Sequence, residues 1–296
     1  MDDATIERIA SQHFDDHKVT KVQRLTGGVS ADVFRVDLIS RAAVEQSIVL
    51  RVHGEHHSGH PAQIEFDLLR ALQQSGLPVA EPLHLNTRGD LVPYPYLTMR
   101  FVAGTSDFPH DAPHAYIEAM AAMLLRIHNT PTHGLPALPV RHEPLPELLD
   151  YLPQDLPGES RWRAARKMLT GLNGGAYEGP DQLLHGDFWP ANVLWRGNEV
   201  AAILDWEDAA IGDPLSDVAG CGLELRYLLG ADGMAWFTEA YAAQAPVDLQ
   251  RLALWRAYVA AAAQHFMSNW RLPAEREAHM RSQAMATLSE AVDALR

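Results

Sequence analysis

Cysteine is almost absent from this chain. Cys221 is the one thiol in 296 residues, which excludes an intrachain disulfide, and its apolar helical surroundings point to a buried thiol over a reactive one. Positive charge is scarce as well. Lys and Arg number 24 against 38 Asp and Glu, a formal net charge of −14. That disfavours a general nucleic-acid surface, which needs clustered Lys and Arg, and favours cationic or neutral small partners. No apolar run approaches a membrane span, and the start, MDDATIERIA, has neither a basic stretch nor an apolar signal core. The expectation is a cytoplasmic protein with no membrane partner. Repeats of solenoid period and low-complexity segments are missing, and so is the Gly-Asn-His element that a metallophosphatase would need beside its Gly-Asp.

What is present is ample apolar material, 47% of the sequence, enough for a large core in one long domain or two lobes. The most informative stretch runs from Leu183 to Glu207, LLHGDFWPANVLWRGNEVAAILDWE. Leu183-Leu184, Val193 to Trp195 and Val200 to Leu204 read as short strands, with Gly197-Asn198 turning between the last two. Asp187 then falls on the preceding loop, and Asn192 and Asp205 fall at strand ends. Carboxylate and amide oxygens so placed suit Mg²⁺, which takes one or two protein ligands plus substrate phosphates. An Asp not spent on the metal can orient or deprotonate a hydroxyl. A hairpin with polar turn residues and no chemistry is the other reading of the same residues.

In chain order, residues 4 to 16 read as an amphipathic helix, and Val22 to Leu25 and Val33 to Leu38 as strands flanking Thr26-Gly27-Gly28-Val29-Ser30, either a hairpin turn or a phosphate cradle. Gln46 to Val52 is a strand ending on Arg51, and Pro61 to Ser75 a helix with Glu65 in its first turn. Between them lie four histidines from His53 to His60, read as a flexible loop over a nucleotide in preference to a metal site. A strand follows from Tyr96 to Phe101, and Pro113 to His128 has helical periodicity. Residues 129 to 157 carry seven prolines and read as an extended connector with one short helix, Leu145 to Tyr151. Arg161 to Leu172 is a further helix. Asp217 reads as an ordinary acid at a helix start. The remainder reads as three or more helices on which Glu224, Tyr227, Trp236, His265 and Trp270 are either core and solvated-face residues or the wall of a pocket for an amine or sugar.

Taken together, His185-Gly186-Asp187, Asn192 five residues on, Asp205-Trp206-Glu207 and the Gly212-Asp213-Pro214 to Asp217 segment resemble the aminoglycoside phosphotransferase family, relatives of the protein kinases. The resemblance implies an α+β, two-lobed kinase-like fold, with a sheet-rich nucleotide-binding lobe over 1–99 and a helical catalytic and acceptor lobe over 100–296. It implies transfer of the γ-phosphoryl of ATP or GTP to a hydroxyl of a small molecule. By resemblance Asp187 is the catalytic base, and Asn192 and Asp205 hold Mg²⁺. The same resemblance makes Gly27, Gly28 and Ser30 a phosphate loop, although Ala31 stands where the family usually has Asn. Arg51 takes the place of the phosphate-contacting Lys, with Glu65 as its ion-pair partner. Met99, Arg100 and Val102 fall where backbone groups bind adenine, Asp150 and Tyr151 near the acceptor, and Asp217 where an acid tethers the catalytic loop. Two alternatives stay open. One is a protein Ser/Thr kinase, although the six residues between Asp205 and Gly212 leave little room for an activation loop. The other is a catalytically silent nucleotide-binding module.

Overall fold

Asp2 starts the first helix. Its carboxylate accepts from the Thr5 amide at 2.9 Å, and the helix that follows, α1 (Asp3–His13), puts Ile6, Ile9 and Ala10 on its buried face. The computed structural model describes residues 1–25, 31–55, 57, 59–109, 112–152, 159–171 and 176–296. The expected phosphate loop, Gly27, Gly28 and Ser30, lies outside them. Contacts divide the chain into two compact units, one of residues 1–105, 134–137 and 194–208, the other of 106–133, 138–193 and 209–296. This is not the single cut after residue 99 expected from the sequence.

The first unit is built on an antiparallel sheet of β1 (His17–Leu25), β2 (Ala31–Ser40), β3 (Glu45–His53), β4 (Pro82–Asn86) and β5 (Tyr96–Arg100), in the order β1-β2-β3-β5-β4. Alternation along β2 and β3 turns Phe34, Val36, Leu38, Ile48, Leu50 and Val52 to one face, where they bury against Ile6 and Ile9 of α1. The helix α2 (Ala62–Gln74) buries Leu68, Leu69 and Leu72. β1 is longer than the apolar signal at Val22 to Leu25, because its exposed polar half, from His17, still pairs with β2. A hairpin of β8 (Val193–Arg196) and β9 (Glu199–Ile203) belongs here through two bonds: Trp195 N donates to Thr105 O at 2.7 Å, and Ile203 N to Pro78 O at 2.7 Å.

The second unit is helical. α3 (Pro113–His128) packs on α7 (Ala231–Ala242), and α6 (Leu215–Leu229) lies against α7, α8 (Leu249–Phe266) and α9 (Ala274–Ala294). α4 (Leu145–Tyr151) and α5 (Glu159–Thr170) complete a core of Leu148, Leu152, Leu169, Ala257, Ala260, Leu288 and Val292. α5 begins and ends two residues earlier than expected from Arg161 to Leu172, and α1 stops at His13, not residue 16, where the Phe14 amide bonds Ala10 O. Two short strands escaped the sequence reading, β6 (Val140–Arg141) and β10 (Ala210–Gly212), which join β7 (Gln182–Leu184) in the order β6-β10-β7. Gly212 is required at that seam, because its φ is +148° and a Cβ there would meet Arg141 O at 2.2 Å.

Candidate active site

In the helical unit, β7 delivers the chain into His185-Gly186-Asp187, and a turn of 3₁₀ helix over Pro190–Asn192 carries it on into β8. The loop is fixed by its own side chains. Asn192 Nδ2 donates to the Asp187 carbonyl at 2.8 Å and to Asp187 Oδ2 at 3.0 Å, so the five-residue spacing is what brings the two side chains together. With its nitrogen committed to Asp187, the Asn192 amide has its oxygen left over as a donor for a hard cation.

Asp217, in the first turn of α6, holds this loop from behind. Its carboxylate accepts the His185 amide at 2.7 Å and the Gly186 amide at 3.0 Å, and lies 3.3 Å from His128 Nε2. His128 in turn meets the Tyr241 hydroxyl at 2.8 Å through Nδ1. Burial pushes the Asp217 carboxyl up, but the His128 hydrogen bond, the nearby imidazoles and the donated amide outweigh it and hold Asp217 below the ordinary carboxylate range. The residues alone read Asp217 as a helix-start acid, while the family resemblance implied an acid that tethers the catalytic loop, which is the contact seen here. Asp213, also buried, accepts from Arg251, Trp255 Nε1 and the Leu215 amide, and Arg251 reaches the His142 carbonyl at 2.6 Å. That hub ties α8 to β10 and to the segment after β6, and the sequence reading assigned it no role.

In the sheet-rich unit, Arg51 on β3 is 8% exposed and is surrounded by acids. Its Nε lies 3.4 Å from Glu65 Oε1, its Nη2 lies 3.0 Å from Asp205 Oδ1, and it also pairs with Glu207. The sequence therefore placed Arg51 and Glu65 correctly beside each other but missed Glu207, whose only signal was an acid two residues after Asp205. Burial opposes the Arg51 charge, yet Glu65, Asp205 and Glu207 raise its pKa. Glu65 is 2% exposed and is not a solvated first-turn acid. His53 Nε2 sits 2.8 Å from it, and despite burial the His53 bond and the Arg51 charge hold it below the usual range.

The described histidines of the 53–60 segment are packed, not loosely exposed. The His53 and His57 rings lie 4.0 Å apart, His57 Nε2 meets the His60 carbonyl at 2.7 Å, and His57 Nδ1 lies 3.6 Å from Glu207. The His60 amide donates to Glu207 O at 2.9 Å, an approach so close that a Cβ on Gly59 would meet Glu207 Cβ at 2.4 Å. Among the described residues, no group of three or more His, Cys, Asp or Glu forms a metal cluster.

Asp205 follows β9 with φ +60°, a conformation uncommon outside glycine that Asp tolerates better than most residues. Its Oδ1 is buried without a hydrogen bond of good geometry, despite the nearby Arg51. An Asp carboxylate in this position, with Oδ1 held 3.0 Å from Arg51 Nη2, offers the oxygen donors that a divalent cation prefers. Of the three residues expected at the adenine edge, Arg100 donates its amide to Glu81 O at 2.8 Å, and Met99 lies in register with Val49 and Pro82. Val102 lies past the end of β5.

Comparison with known proteins bears on this arrangement. A family model described as Phosphotransferase enzyme family matches residues 21–261. Acyl-CoA dehydrogenase family member 10 of Mus musculus is 28% identical over 55% of this chain. A protein of Arabidopsis thaliana named "Probable acyl-CoA dehydrogenase IBR3" is 23% identical over 67% of it. The chain spans only 16% and 27% of those two proteins' lengths. Among solved structures, the amicoumacin kinase hAmiN, in complex with AMP-PNP, Ca²⁺ and Ami, aligns with TM-score 0.67 and 14% identity over 98% of this chain and 94% of its own. A ternary complex of aminoglycoside phosphotransferase APH(4)-Ia with AMP-PNP and hygromycin B aligns at 0.65 and 17%, over 96% and 98%. A choline/ethanolamine kinase family protein of Mesorhizobium loti aligns at 0.62 and 19%, over 93% and 92%. At these identities the structural likeness establishes the α+β kinase-like fold.

Proposed function

This chain belongs to the phosphotransferase enzyme family APH, and from that premise we propose that it moves the γ-phosphoryl group of ATP or GTP to a hydroxyl of a small molecule. The observation that carries the reading is the Asp187 loop, in which Asn192 clasps Asp187 while Asp217 holds the preceding amides. A loop so fixed presents a carboxylate in one place, which is what a reaction relying on positioning and charge needs.

In the proposed reaction the acceptor oxygen bonds to the γ-phosphorus as the bond from that phosphorus to the bridging oxygen breaks, and the nucleoside diphosphate leaves. Asp187 orients the acceptor hydroxyl and takes its proton. Asn192 and Asp205 are the proposed ligands of Mg²⁺, which when bound neutralises phosphate charge. Arg51 contacts phosphate, with Glu65 aiming its guanidinium. Gly27, Gly28 and Ser30 cover the phosphates, and main-chain groups at Met99, Arg100 and Val102 are the proposed adenine edge. Nucleotide, divalent metal and a hydroxyl-bearing acceptor are the proposed partners.

A silent nucleotide-binding module is the second reading, favoured by one observation: Arg51 is already paired with Asp205 and Glu207. The test is nucleoside diphosphate release with Mg²⁺, using ATP and GTP separately against amino alcohols, sugars, aminoglycosides and macrolides. Acceptor-dependent release supports transfer. Nucleotide binding with no acceptor-dependent release supports the silent module.

A further inference from the structure

Arg141 is the last residue of β6, which pairs in parallel with β10. Its carbonyl takes the Asp213 amide at 3.0 Å, so the fold fixes its main chain. The side chain is held far less. Among the described residues no carboxylate stands within ion-pair distance of the Arg141 guanidinium, and its one hydrogen-bonding contact is Nη1 at 3.5 Å from Gly186 O. Arg51, Arg226 and Arg251 each meet a carboxylate, as expected in a chain with 38 acids against 24 Lys and Arg. Arg141 is partly withdrawn from water, and a guanidinium so placed, with most of its fork uncommitted, is a donor set for an anion. Gly186 immediately precedes Asp187, so this cation stands against the loop that presents the proposed base. Its charge also reaches Tyr258 on α8, whose hydroxyl donates to Glu147 Oε2 at 2.7 Å. The Tyr151 ring lies 6.2 Å from Tyr258, 5.0 Å from His265 and 5.2 Å from Phe266. His265 and Phe266 are exposed and the two tyrosines partly accessible, so a band of rings open to solvent begins near the guanidinium.

We propose that Arg141 is an anion subsite for the acceptor, and that the acceptor class is a hydroxy acid whose carboxylate pairs with Arg141 while its hydroxyl meets Asp187 and its carbon body lies along Tyr258, Tyr151 and Phe266. The inference rests on the phosphotransfer reading for the role of Asp187. Three features converge on this class. A carboxylate matches the planar fork of an arginine that no protein acid has claimed. The positive charge offsets the repulsion that Asp187 alone would exert on an anionic acceptor. The other acid near Asp187, Glu224, is pushed up to about 8 by burial and then by the Asp187 charge, so it is largely uncharged at neutral pH and adds little to that repulsion. The net charge of −14 favours cationic partners at long range, but surface charges are screened beyond about 8 Å at physiological salt, so it does not decide what binds against an unpaired arginine.

The test is calorimetric titration of the full chain with 3-hydroxyoctanoate and mandelate, and with 3-hydroxyoctanamide and mandelamide as uncharged counterparts of the same shape. The expected result is that each acid binds at least about tenfold tighter than its amide. Arg141→Gln should bring the acid down to the level of its amide and leave the amide unchanged, and Arg141→Lys, which keeps the charge without the fork, should restore part of the difference. Phe266→Ala should weaken acid and amide alike, by about threefold. The amides separate recognition from structure, because a variant that merely disturbed the loop at Gly186 would weaken both members of a pair. Acids that bind no tighter than their amides, equal weakening of acid and amide in Arg141→Gln, or no binding of either acid overturns the inference. Diphosphate release with ATP and GTP is measured in parallel to separate the two claims. Arg141-dependent binding of the acids without transfer removes the proposed reaction and leaves the subsite, and transfer to neutral acceptors that is the same in Arg141→Gln does the reverse.

Discussion

Replacing Asp217 with Ala tests how the catalytic loop is held. The side chain is 3% exposed and takes two main-chain amides, His185 at 2.7 Å and Gly186 at 3.0 Å, with His128 Nε2 at 3.3 Å as a third, weaker partner. Hydrogen bonds to a charged acceptor contribute about 1.5–3 kcal/mol each, and an amide left buried without a partner costs a comparable amount. Losing two such bonds should therefore destabilise the helical unit by about 3–5 kcal/mol. Asp217→Asn should fall between, since its oxygen can serve one amide while its NH₂ faces the other donor. Urea unfolding followed by circular dichroism measures the change as a lowered midpoint at nearly constant slope. The pH dependence gives a second check. Because the folded state holds the Asp217 carboxyl below its ordinary value of 3.8, its contribution is present above that value and is lost as the pH falls through the folded one. The gap between wild type and Asp217→Ala should thus shrink below about pH 4. A loss under about 1 kcal/mol at neutral pH, or a gap that widens in acid, would refute the reasoning.

Arg51→Met leaves Glu65, Asp205 and Glu207 facing one another without their shared cation, and should cost about 3–5 kcal/mol, read as a drop in Tm that adding Glu207→Gln partly reverses. Gly212→Ala forces a Cβ against Arg141 O at a φ of +148° and should cost at least about 2 kcal/mol in urea unfolding; a neutral outcome would mean that β6 and β10 are not paired as described. Glu224→Gln should show a sign that depends on pH. The Glu224 carboxyl is pushed from 4.5 to about 8, so wild type and variant match in acid, and the wild type loses ground as the pH climbs between those values and an unpaired charge is forced into the fold. Discounted for partial exposure, the variant's advantage should reach about 2 kcal/mol above pH 8, visible as a Tm difference that grows with pH.

Where local chemistry sets an element, the sequence displays it. Pro113 opens α3 and the apolar spacing runs to His128, and the short helix Leu145–Tyr151 stands out within a proline-rich connector. The hairpin around Gly197-Asn198 was equally plain from its turn. β6 and β10 were not, because two and three residues carry no period, and their pairing joins positions about 70 residues apart. The site divides along the same line. Asp187 and Asn192 are close in sequence and their spacing marked them as one motif, though not their hydrogen bond, whereas the pairing of Arg51 with Glu207 spans 156 residues. Neither the packing of His53 against Glu65 nor the unpartnered state of Tyr227 has a sequence signature, since both depend on which neighbours the fold supplies.

The most direct test of the account is to ask where the phosphoryl group goes. With ATP, Mg²⁺ and the acceptors of the diphosphate-release assays, ³¹P NMR should show a new phosphomonoester resonance growing with the wild-type chain, and no growth with Asp187→Ala, although that variant still binds nucleotide. A resonance of inorganic phosphate alone, or monoester formed at an equal rate by Asp187→Ala, would contradict the assignment of Asp187 as the base of a phosphotransferase.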